Sequence, residues 1–458
     1  MRFTKPQPYW DMQFQIIVGP GGSPFWWGPG AKPLVGIGAK PRTNNFASQD
    51  GRGLGKNMQK VKFIVSMAIR LAKNVVIVCI VYAIIFPILL LMRPFKKIII
   101  ANYQSSRIGG CHTLNYLLIR KMLHDTDPGT LHILASEKRI CNYRYHNFVK
   151  RYFLVLHWRF RVIFLAGCSS DFGRKIGFVP EIPYWYLYRQ VYRAKNECPF
   201  SFSVDEEVEG KEKLRQMGIT EDDWFVCIHS RDPGYLAKED VSTDWSYHDF
   251  RDCKIENYFS AARHIMERGG KTVRVGVVVD DPLGSGAPAG LVDYPSLFRD
   301  EFMDLYLMAK NRFFLGNTSG PFAVSVMFNC PVALANWIPP NHLPLGPKSL
   351  YIPKLIWDNN KNRYLSFQEM HDLGLFTEVM AGYGGYYKER GIIPIENSGE
   401  DIFLLCREMI ENLEGEVRPG HYHESQIQFK RRFQSHIEDG EHAGNISAYF
   451  LEKYQSLM

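Results

Sequence analysis

From residue 97 onward, short apolar runs rich in β-branched residues alternate with segments of helical pattern. The apolar runs of the first stretch predict strands: KIIIANY (97–103), TLHILAS (130–136) and RVIFLAGC (161–168). Residues 113–123 have a helical pattern instead. Because this alternation is typical of parallel sheets covered by helices, residues 97–205 are predicted to form an α/β domain.

A charged helical stretch, EEVEGKEKLRQMG (206–218), separates this series from a second one. The second series predicts strands at DWFVCIHSR, KTVRVGVVV, RFFLG and PVALANW, and helices at IENYFSAARHIMERGG, DEFMDLYLMAK and PFAVSVMFN. Residues 206–398 therefore predict a second α/β domain, and residues 399–458 a C-terminal helical extension. Ligands of such sheets bind at the carboxyl ends of the strands, so two facing domains predict a site in the cleft between them.

One segment before the two domains is uniformly apolar. Val75–Met92 is a run of 18 residues without a charge, VVIVCIVYAIIFPILLLM. As a helix it would be roughly 27 Å long, close to the ~30 Å hydrocarbon core of a bilayer. Residues 58–96 therefore predict a membrane-anchoring helix, either a single span or a helix that Pro87 kinks and that inserts from one side. A buried helix of a soluble domain is the alternative.

Residues 1–57 are rich in glycine and proline, as in GPGGSPFWWGPG, and have no usable period. No strand precedes these glycines and no helix follows them, which argues against a phosphate-binding loop. The composition predicts a disordered arm. It also fits an arm outside the natural chain, if that chain starts at Met58.

Positive charge is concentrated around the apolar segment. The 458 residues carry a formal charge of +8, and residues 1–73 alone hold 11 Lys and Arg against 2 Asp and Glu. A nucleic-acid-binding protein needs its basic stripe on the folded part, so no nucleic-acid partner is expected. Cations beside an apolar segment suit anionic lipid head groups instead. The nine cysteines include no Cys-x-x-Cys pair or zinc spacing, which predicts a reducing compartment and no structural metal.

The strand DWFVCIHSR ends in the first candidate group of site residues. Its alternation places His229 on one side, and Arg231 and Asp232 emerge at the carboxyl end. An arginine there can clamp a phosphate with two N–H donors. A salt bridge at a strand end is the alternative for Arg231.

A second candidate group follows the strand RFFLG. Asn317, Thr318, Ser319 and Gly320 form a hydroxyl–glycine turn before a helix that opens with Pro321. Thr318 or Ser319 could cap that helix, and the same amides and hydroxyls could seat an anion. A capped helix without a ligand is the alternative. Two such groups in one α/β domain favour a nucleotide diphosphate ligand.

Three further residues complete the predicted site. Arg274 and Tyr294 lie between the two groups, and Tyr294 could stack on a base or sugar, although a core tyrosine is equally compatible with the sequence. In the first domain His112 follows the Gly109–Gly110 turn and could act as a general base on an acceptor hydroxyl. A surface histidine at a helix start is the alternative.

Three runs, taken in their order along the chain, resemble a bacterial family of glycosyltransferases. They are FVCIHSRDPGYL, FRDCKIENYFSAARHIMERGGKTVRVG and VDYPSLFRDEFMDLYLMAKNRFFLGNTSGPFAVSVMFNCPVALANW. That family is distantly similar to the protein O-fucosyltransferase and α-1,6-fucosyltransferase clan. The resemblance covers about residues 200–345 most clearly. It implies that Arg231 of the His229-x-Arg231 motif contacts the donor diphosphate and that Thr318 and Ser319 form the later hydroxyl-rich turn. The clan often has two adjacent arginines, whereas Asp232 follows Arg231 here.

The resemblance implies a GT-B architecture, with two Rossmann-like domains facing a cleft, the acceptor on the N-terminal and the donor on the C-terminal side. We therefore expect a membrane-anchored Leloir glycosyltransferase with its catalytic domains on the cytoplasmic side of the inner membrane. It would need no metal or cofactor and would invert the anomeric centre, with Arg231, Asp232 and His112 as catalytic residues. Asp244 and His248 are further candidates for the base, and the sequence does not choose among the four. The expected partners are a nucleotide-sugar donor, a glycan or lipid-linked acceptor and the membrane. A sugar-nucleotide epimerase and a non-catalytic sugar-nucleotide-binding scaffold are the alternatives.

Overall fold

The computed structural model describes residues 16–18, 24–26, 65, 75–77, 79–92, 94–109, 129–168, 170–179, 198, 200–231, 234, 246–279, 283–338, 340, 343–344, 346, 348–376, 384–415, 423–434 and 443–458. The chain divides into the units Met1–Arg70 and Leu71–Met458. In the first unit, strands β1 (Ile16–Val18) and β2 (Pro24–Trp26) form an antiparallel pair. All other elements belong to the second unit.

The first half of the second unit is a parallel sheet of four strands with the order β5-β4-β3-β6. Its elements are helix α1 (Val75–Met92), β3 (Lys97–Tyr103), β4 (Thr130–Ser136), α2 (Tyr143–Tyr152), β5 (Leu154–Leu156), α3 (Arg161–Cys168), α4 (Asp171–Ile176) and β6 (Phe178–Val179). The predicted strands at 97–103 and 130–136 are confirmed. The predicted helix at 113–123 lies outside the described residues.

The run RVIFLAGC is a helix, α3, and not the predicted strand. A short apolar run does not distinguish a strand from a buried helix by its period alone. Here β5 already pairs with β4, and Arg161 at the start of α3 donates to the carbonyl of Ala135 at 2.9 Å. The run therefore covers the sheet instead of extending it.

The second half contains a parallel sheet of seven strands with the order β16-β12-β11-β10-β7-β8-β9. Up to the fourth strand its elements are α5 (Val204–Gln216), β7 (Phe225–Ile228), α6 (Phe259–Glu267), β8 (Lys271–Arg274), β9 (Leu291–Asp293), α7 (Tyr294–Leu297), α8 (Met303–Lys310) and β10 (Phe313–Gly316). Then come α9 (Pro321–Met327), β11 (Val332–Trp337), β12 (Leu350–Pro353), β13 (Leu355–Asp358), β14 (Arg363–Tyr364), α10 (Phe367–Asp372), α11 (Gly384–Glu389), β15 (Ile392–Ile395), α12 (Gly399–Glu414), α13 (Glu424–Phe433), β16 (Asn445–Ile446) and α14 (Ala448–Lys453).

The last segment of the chain is part of this second half. β16 pairs with β12 in the large sheet, and α12 buries Leu405 and Met409 in the core that also contains β11. Residues 399–458 therefore contain the predicted helices and also add a strand to the large sheet. β13, β14 and β15 form a small antiparallel sheet beside the large one.

The strand order places a topological switch point between β7 and β10. From β7 the chain moves outward to β8 and β9, then returns to β10 on the other side of β7 and continues outward to β11 and β12. Loops leave neighbouring strands in opposite directions at such a point, which opens a crevice at the carboxyl ends. The residues that follow β7 and β10 therefore meet there.

The two halves touch at a pair of glycines. Gly109 follows β3 in the first half, and Gly320 follows β10 in the second half. A Cβ atom built on Gly109 would lie within 1.9 Å of the Gly320 Cα, and one built on Gly320 would lie 2.9 Å from the Gly109 Cα. No side chain fits between these backbones, so only glycine allows this approach.

A buried polar network forms a second junction between the halves. Asn142 caps α2 through its Oδ1, and its Nδ2 donates to Asp304 Oδ2 at 3.2 Å and to the Glu301 carbonyl at 2.8 Å. Asp304 also accepts from the Tyr294 hydroxyl at 2.7 Å and from Arg299 at 3.1 Å. Burial raises the pKa of Asp304 to about 6. The junction therefore contains a carboxylate that is costly to ionise.

We expect Gly109→Ala to destabilise the protein because the new methyl group would force the two halves apart. Overpacking of this kind costs roughly 1–3 kcal/mol. Gly284→Ala is the matched control, since a Cβ there meets nothing within 4 Å. Thermal unfolding of the full chain in detergent measures both variants. Equal midpoints for the two variants would contradict the close contact.

We also expect Asp304 to make stability fall as the pH rises. Its folded pKa of about 6 lies above the 3.8 of an aspartate in the unfolded chain, so its contribution to stability is fully present below pH 4 and is lost as the pH passes 6. Asp304→Asn removes this titration, and its stability relative to wild type should rise by about 2–3 kcal/mol between pH 4 and pH 8. Asp222→Asn, at an exposed position, should show no such trend in denaturant unfolding.

Candidate functional site

The candidate site lies at the carboxyl ends of β7 and β10. The backbone N–H of His229, which follows β7, donates to the carbonyl of Leu315 in β10 at 2.9 Å. The Asn317 side chain, which follows β10, donates to the carbonyl of Arg251 at 3.0 Å. The two predicted groups of site residues therefore come together at the switch point, and residues 246–253 lie beside them.

His229 is a positioned, neutral histidine. Its Nδ1 lies 2.8 Å from the carbonyl of Val275, so Nδ1 carries the proton and donates. Burial, together with the positive charges of Arg274 and Arg231, lowers the pKa of His229 to about 4, although the hydrogen bond to the Val275 carbonyl opposes the shift. At neutral pH this side chain therefore adds no charge to the site.

Arg231 is held by the segment that lies beside it. Its guanidinium forms an ion pair with Asp252 and donates to the His248 carbonyl at 3.4 Å. Its own carbonyl accepts from the N–H of Cys253 at 3.1 Å. Arg231 is buried, at 9% exposure. Arg231 lies at the end of the strand as predicted, and the salt bridge that the sequence offers as the alternative to a phosphate contact is present.

Positive charge accumulates around His248. Burial lowers the pKa of His248 to about 3, and Arg251, Arg231 and Arg107 contribute to the shift in that order. Nδ1 of His248 lies 3.5 Å from the Arg251 guanidinium. Because Arg107 follows β3, the first half supplies one of these cations and the second half supplies the others.

Lys354 is a fourth cation in the same place. It follows β12, is 4% exposed, and its Nζ donates to the carbonyl of Asp252 at 2.9 Å. Burial lowers the pKa of Lys354, and Arg231 is close enough to lower it further, while Cys253 and Glu396 oppose the shift. We call Arg107, Arg231, Arg251 and Lys354 the basic cluster. The described carboxylates that face it are Asp252 and Glu396.

The hydroxyl–glycine turn is tied into the fold by its own hydrogen bonds. Thr318 Oγ1 accepts from the N–H of Ile338 at 3.0 Å, and Ser319 Oγ donates to the carbonyl of Asn317 at 3.2 Å. Gly320 occupies the N-cap of α9, and no side chain caps that helix. The predicted capping role of Thr318 or Ser319 is therefore wrong. The turn borders the crevice through Gly320, which contacts Gly109.

Two predicted donor-binding residues are buried in contacts with the protein itself. Arg274 is 2% exposed and faces Asp293 on the neighbouring strand β9, with Nη1 and Oδ1 3.6 Å apart. Tyr294 is 1% exposed, and its hydroxyl bonds to Asp304 and to the carbonyl of Asp300. Neither ring face of Tyr294 is open to a base or sugar, so the core role is the correct one of the two that the sequence allows.

Asp232 and His112, the other predicted catalytic residues, lie outside the described residues. Sequence reasoning missed Arg251, Lys354 and the electrostatic role of Arg107. The rule that located Arg231 applies to Lys354 as well, since this lysine directly follows the apolar strand LYIP. Arg251 has no such signal, because it reaches the site from a segment without a strand.

A surface cavity lies along the edge strand β9 and is lined by Met217, Met266, Lys271, Leu291 and Leu297 among others. No member of the basic cluster lines it. Among the described residues, no three His, Cys, Asp or Glu side chains are grouped so that they could hold a metal ion. The basic cluster is therefore the candidate site.

Neither a protein-family model nor a curated protein sequence matches the chain. Solved structures that resemble it include a family 9 glycosyl transferase from Veillonella parvula (11% identity, TM-score 0.34, 52% of this chain and 80% of that one). The E. coli ADP-heptose LPS heptosyltransferase II has 10% identity, a TM-score of 0.35, and coverage of 52% and 84%. A putative UDP-N-acetylglucosamine 2-epimerase from Listeria monocytogenes has 9% identity, a TM-score of 0.28, and coverage of 72% and 100%. Because all three TM-scores lie below 0.5, these likenesses assign no chemistry to this chain. None of the three is a fucosyltransferase.

Proposed function

We propose that the protein is a Leloir glycosyltransferase, which transfers a sugar from a nucleotide diphosphate sugar to a glycan or lipid-linked acceptor. The observation that carries the proposal is the basic cluster at the switch point of the large sheet. Three arginines and one lysine, of which Arg231 and Lys354 are buried, converge where the loops after β3, β7 and β12 meet. A diphosphate is the anion whose charge and length suit such a group.

The cluster supplies what the departure of a diphosphate requires. In transfer, the acceptor oxygen forms a bond to the anomeric carbon while the bond to the diphosphate oxygen breaks. Negative charge then develops on the diphosphate, and fixed cations in a site of low dielectric stabilise it. Arg231 and Lys354 are placed for this role, which a metal ion fills in other transferases. We therefore propose a metal-independent reaction.

The acceptor side is proposed to be the first half, which contributes Arg107 through the loop after β3. Inverting transfer needs a base beside the acceptor hydroxyl, and Asp232 and His112 remain the proposed candidates. His229, Asn317, Thr318, Ser319 and Gly320 are proposed to shape the donor side. The architecture that we propose is a GT-B arrangement with the donor bound by the second half.

The apolar helix α1 supports an acceptor at the membrane. Among the described residues it is the one helix long and apolar enough, by length and composition, to cross a bilayer. We propose that the enzyme is attached to the inner membrane with both halves in the cytoplasm, where nucleotide sugars are made. A lipid-linked glycan precursor would then be the acceptor.

The proposal is tested by ligand-induced stabilisation of the full chain in detergent. One class among ADP-, UDP-, GDP- and CMP-sugars should raise the unfolding midpoint of the wild type. Arg231→Lys should weaken that ligand's affinity by about 10- to 100-fold, since lysine keeps the charge and loses the paired N–H donors. Arg312→Lys is the matched control, because Arg312 precedes β10 at the opposite edge of the sheet and pairs with Glu414.

Turnover separates the transferase from the alternatives. A transferase releases nucleoside diphosphate only when a lipid extract that contains the acceptor is added. An epimerase converts the sugar nucleotide without an acceptor, and a binding scaffold changes neither. If no nucleotide sugar stabilises the folded protein, the proposal is wrong.

We expect the affinity for the nucleoside diphosphate to fall at alkaline pH because of Lys354. The lowered pKa of Lys354 means that it loses its proton before other lysines do, and only the ammonium form attracts the anion. Lys354→Met should bind more weakly at pH 7 and should lack this decline. Lys361→Met, at an exposed lysine, should keep the wild-type profile in calorimetric titrations from pH 7 to 10.

A further inference from the structure

Helix α1 packs its middle against the first half of the protein. Val81 and Phe86 are 0% and 2% exposed. The Phe86 ring contacts Phe172 of α4 and Phe178 of β6, with centroids 5.5 and 5.6 Å apart. A Cβ built on Gly173 would lie 3.0 Å from the Phe86 ring, so this glycine lets the helix approach α4 closely. The helix is therefore docked onto the folded domain at the centre of its length.

The side of the helix that faces away from the domain is apolar and exposed. An exposed stripe runs along it through Val76, Ile80, Ile84, Ile88 and Leu91, each at least 44% exposed. Residues Val81–Ile85 form a π-helical turn, which precedes Pro87. In this turn the N–H of Phe86 donates to the carbonyl of Val81. These breaks in the regular hydrogen-bond pattern lie next to the docked residues.

The exposed stripe continues onto the domain. Phe172, which touches Phe86, is 48% exposed, and Leu165 of α3 is 38% exposed. Exposed lysines border this surface: Lys175 lies one turn after Phe172 on α4, and Lys96 and Lys97 follow the end of α1. Exposed apolar side chains rimmed by cations match the interface of a bilayer that contains anionic lipids.

The docking contact conflicts with a transmembrane position for α1. The middle of an 18-residue spanning helix lies near the bilayer centre, roughly 15 Å from either surface. Because Phe86 packs on α4, spanning would carry Asp171, Arg174 and Lys175 toward the hydrocarbon core. Each charged side chain there costs about 2.5–3.5 kcal/mol even on the mildest scale. A helix that lies along the interface avoids this cost.

We propose that α1 does not cross the membrane and that its exposed stripe, together with Phe172 and Leu165, inserts into one leaflet. We call this set the insertion surface. Lys96, Lys97 and Lys175 contact the phosphate groups of anionic lipids around it. The first half thus sits directly on the membrane. This inference does not depend on the proposed reaction, and its test uses no substrate.

The test measures the depth of residue 172 in vesicles of phosphatidylcholine and phosphatidylglycerol. A nitroxide is attached to Phe172→Cys in the full chain, and the signal of the labelled parent, which has nine native cysteines, is subtracted. We expect the label to collide readily with oxygen and poorly with a water-soluble nickel complex. Leu154→Cys is the matched control, since Leu154 is an equally exposed apolar residue on the edge strand β5, and its label should be accessible to nickel.

A label at position 172 that is accessible to nickel would overturn the proposal, because it would place the surface around α4 in water and not in the membrane. A label shielded from both oxygen and nickel would also overturn it, because another protein segment or a second copy would then cover the surface.

A second measurement does not rely on cysteine: Phe172→Glu with Leu165→Glu should lower vesicle flotation by about tenfold, the effect of losing two partly buried apolar groups. Leu154→Glu should float as wild type does, and equal flotation of both variants would contradict the insertion surface.

Discussion

The ion pair between Arg231 and Asp252 is the interaction on which the candidate site depends. A buried guanidinium is costly without an anion beside it, and Asp252 supplies that anion from residues 246–253. The carbonyl of the same aspartate accepts from Lys354, so this one residue holds two cations that follow different strands. The hydrogen bond from the Cys253 N–H to the Arg231 carbonyl holds residues 246–253 against the end of β7. Asp252 thus brings Arg231 and Lys354 together, while its single negative charge offsets only one of the two positive charges.

The junction between the halves determines which side chains can reach this site. Arg107 belongs to the first half, yet it is close enough to His248 to lower the pKa of that histidine. This proximity follows from the contact of Gly109 with Gly320, which brings the loops after β3 and β10 together. Phe148 of α2 packs on Phe328 beyond α9, with centroids 5.6 Å apart, and extends the junction into the core. Hydrophobic packing and the close approach of these two glycines therefore place Arg107 beside the other cations of the basic cluster.

The sequence predicts the parts of this arrangement that depend on strands. Apolar runs locate β3, β4, β7 and β10, and the rule that parallel strands carry ligands at their carboxyl ends selects Arg231 and the turn after β10. It does not predict the role of Arg251, whose position depends on how a segment without a strand lies beside the sheet. Tyr294 shows that a position at the end of a strand does not by itself make a ligand contact. It follows β9, but its hydroxyl donates a hydrogen bond to the buried Asp304. Local pattern determines where a residue enters the edge of the sheet, and packing determines where its side chain goes.

The charge state of His248 is linked to the reaction proposed for the basic cluster. Burial, followed by the charges of Arg251, Arg231 and Arg107, lowers the pKa of His248 to about 3, so the imidazole is neutral at pH 7. A diphosphate among the same cations would offset their potential, so the pKa of His248 would rise when the donor binds. The same anion would favour the ammonium form of Lys354, which burial alone disfavours. In the proposed function, the cations of the basic cluster would favour a bound anion for the same reason. Because negative charge on the diphosphate is greatest when its bond to the sugar breaks, the cluster would stabilise that state most.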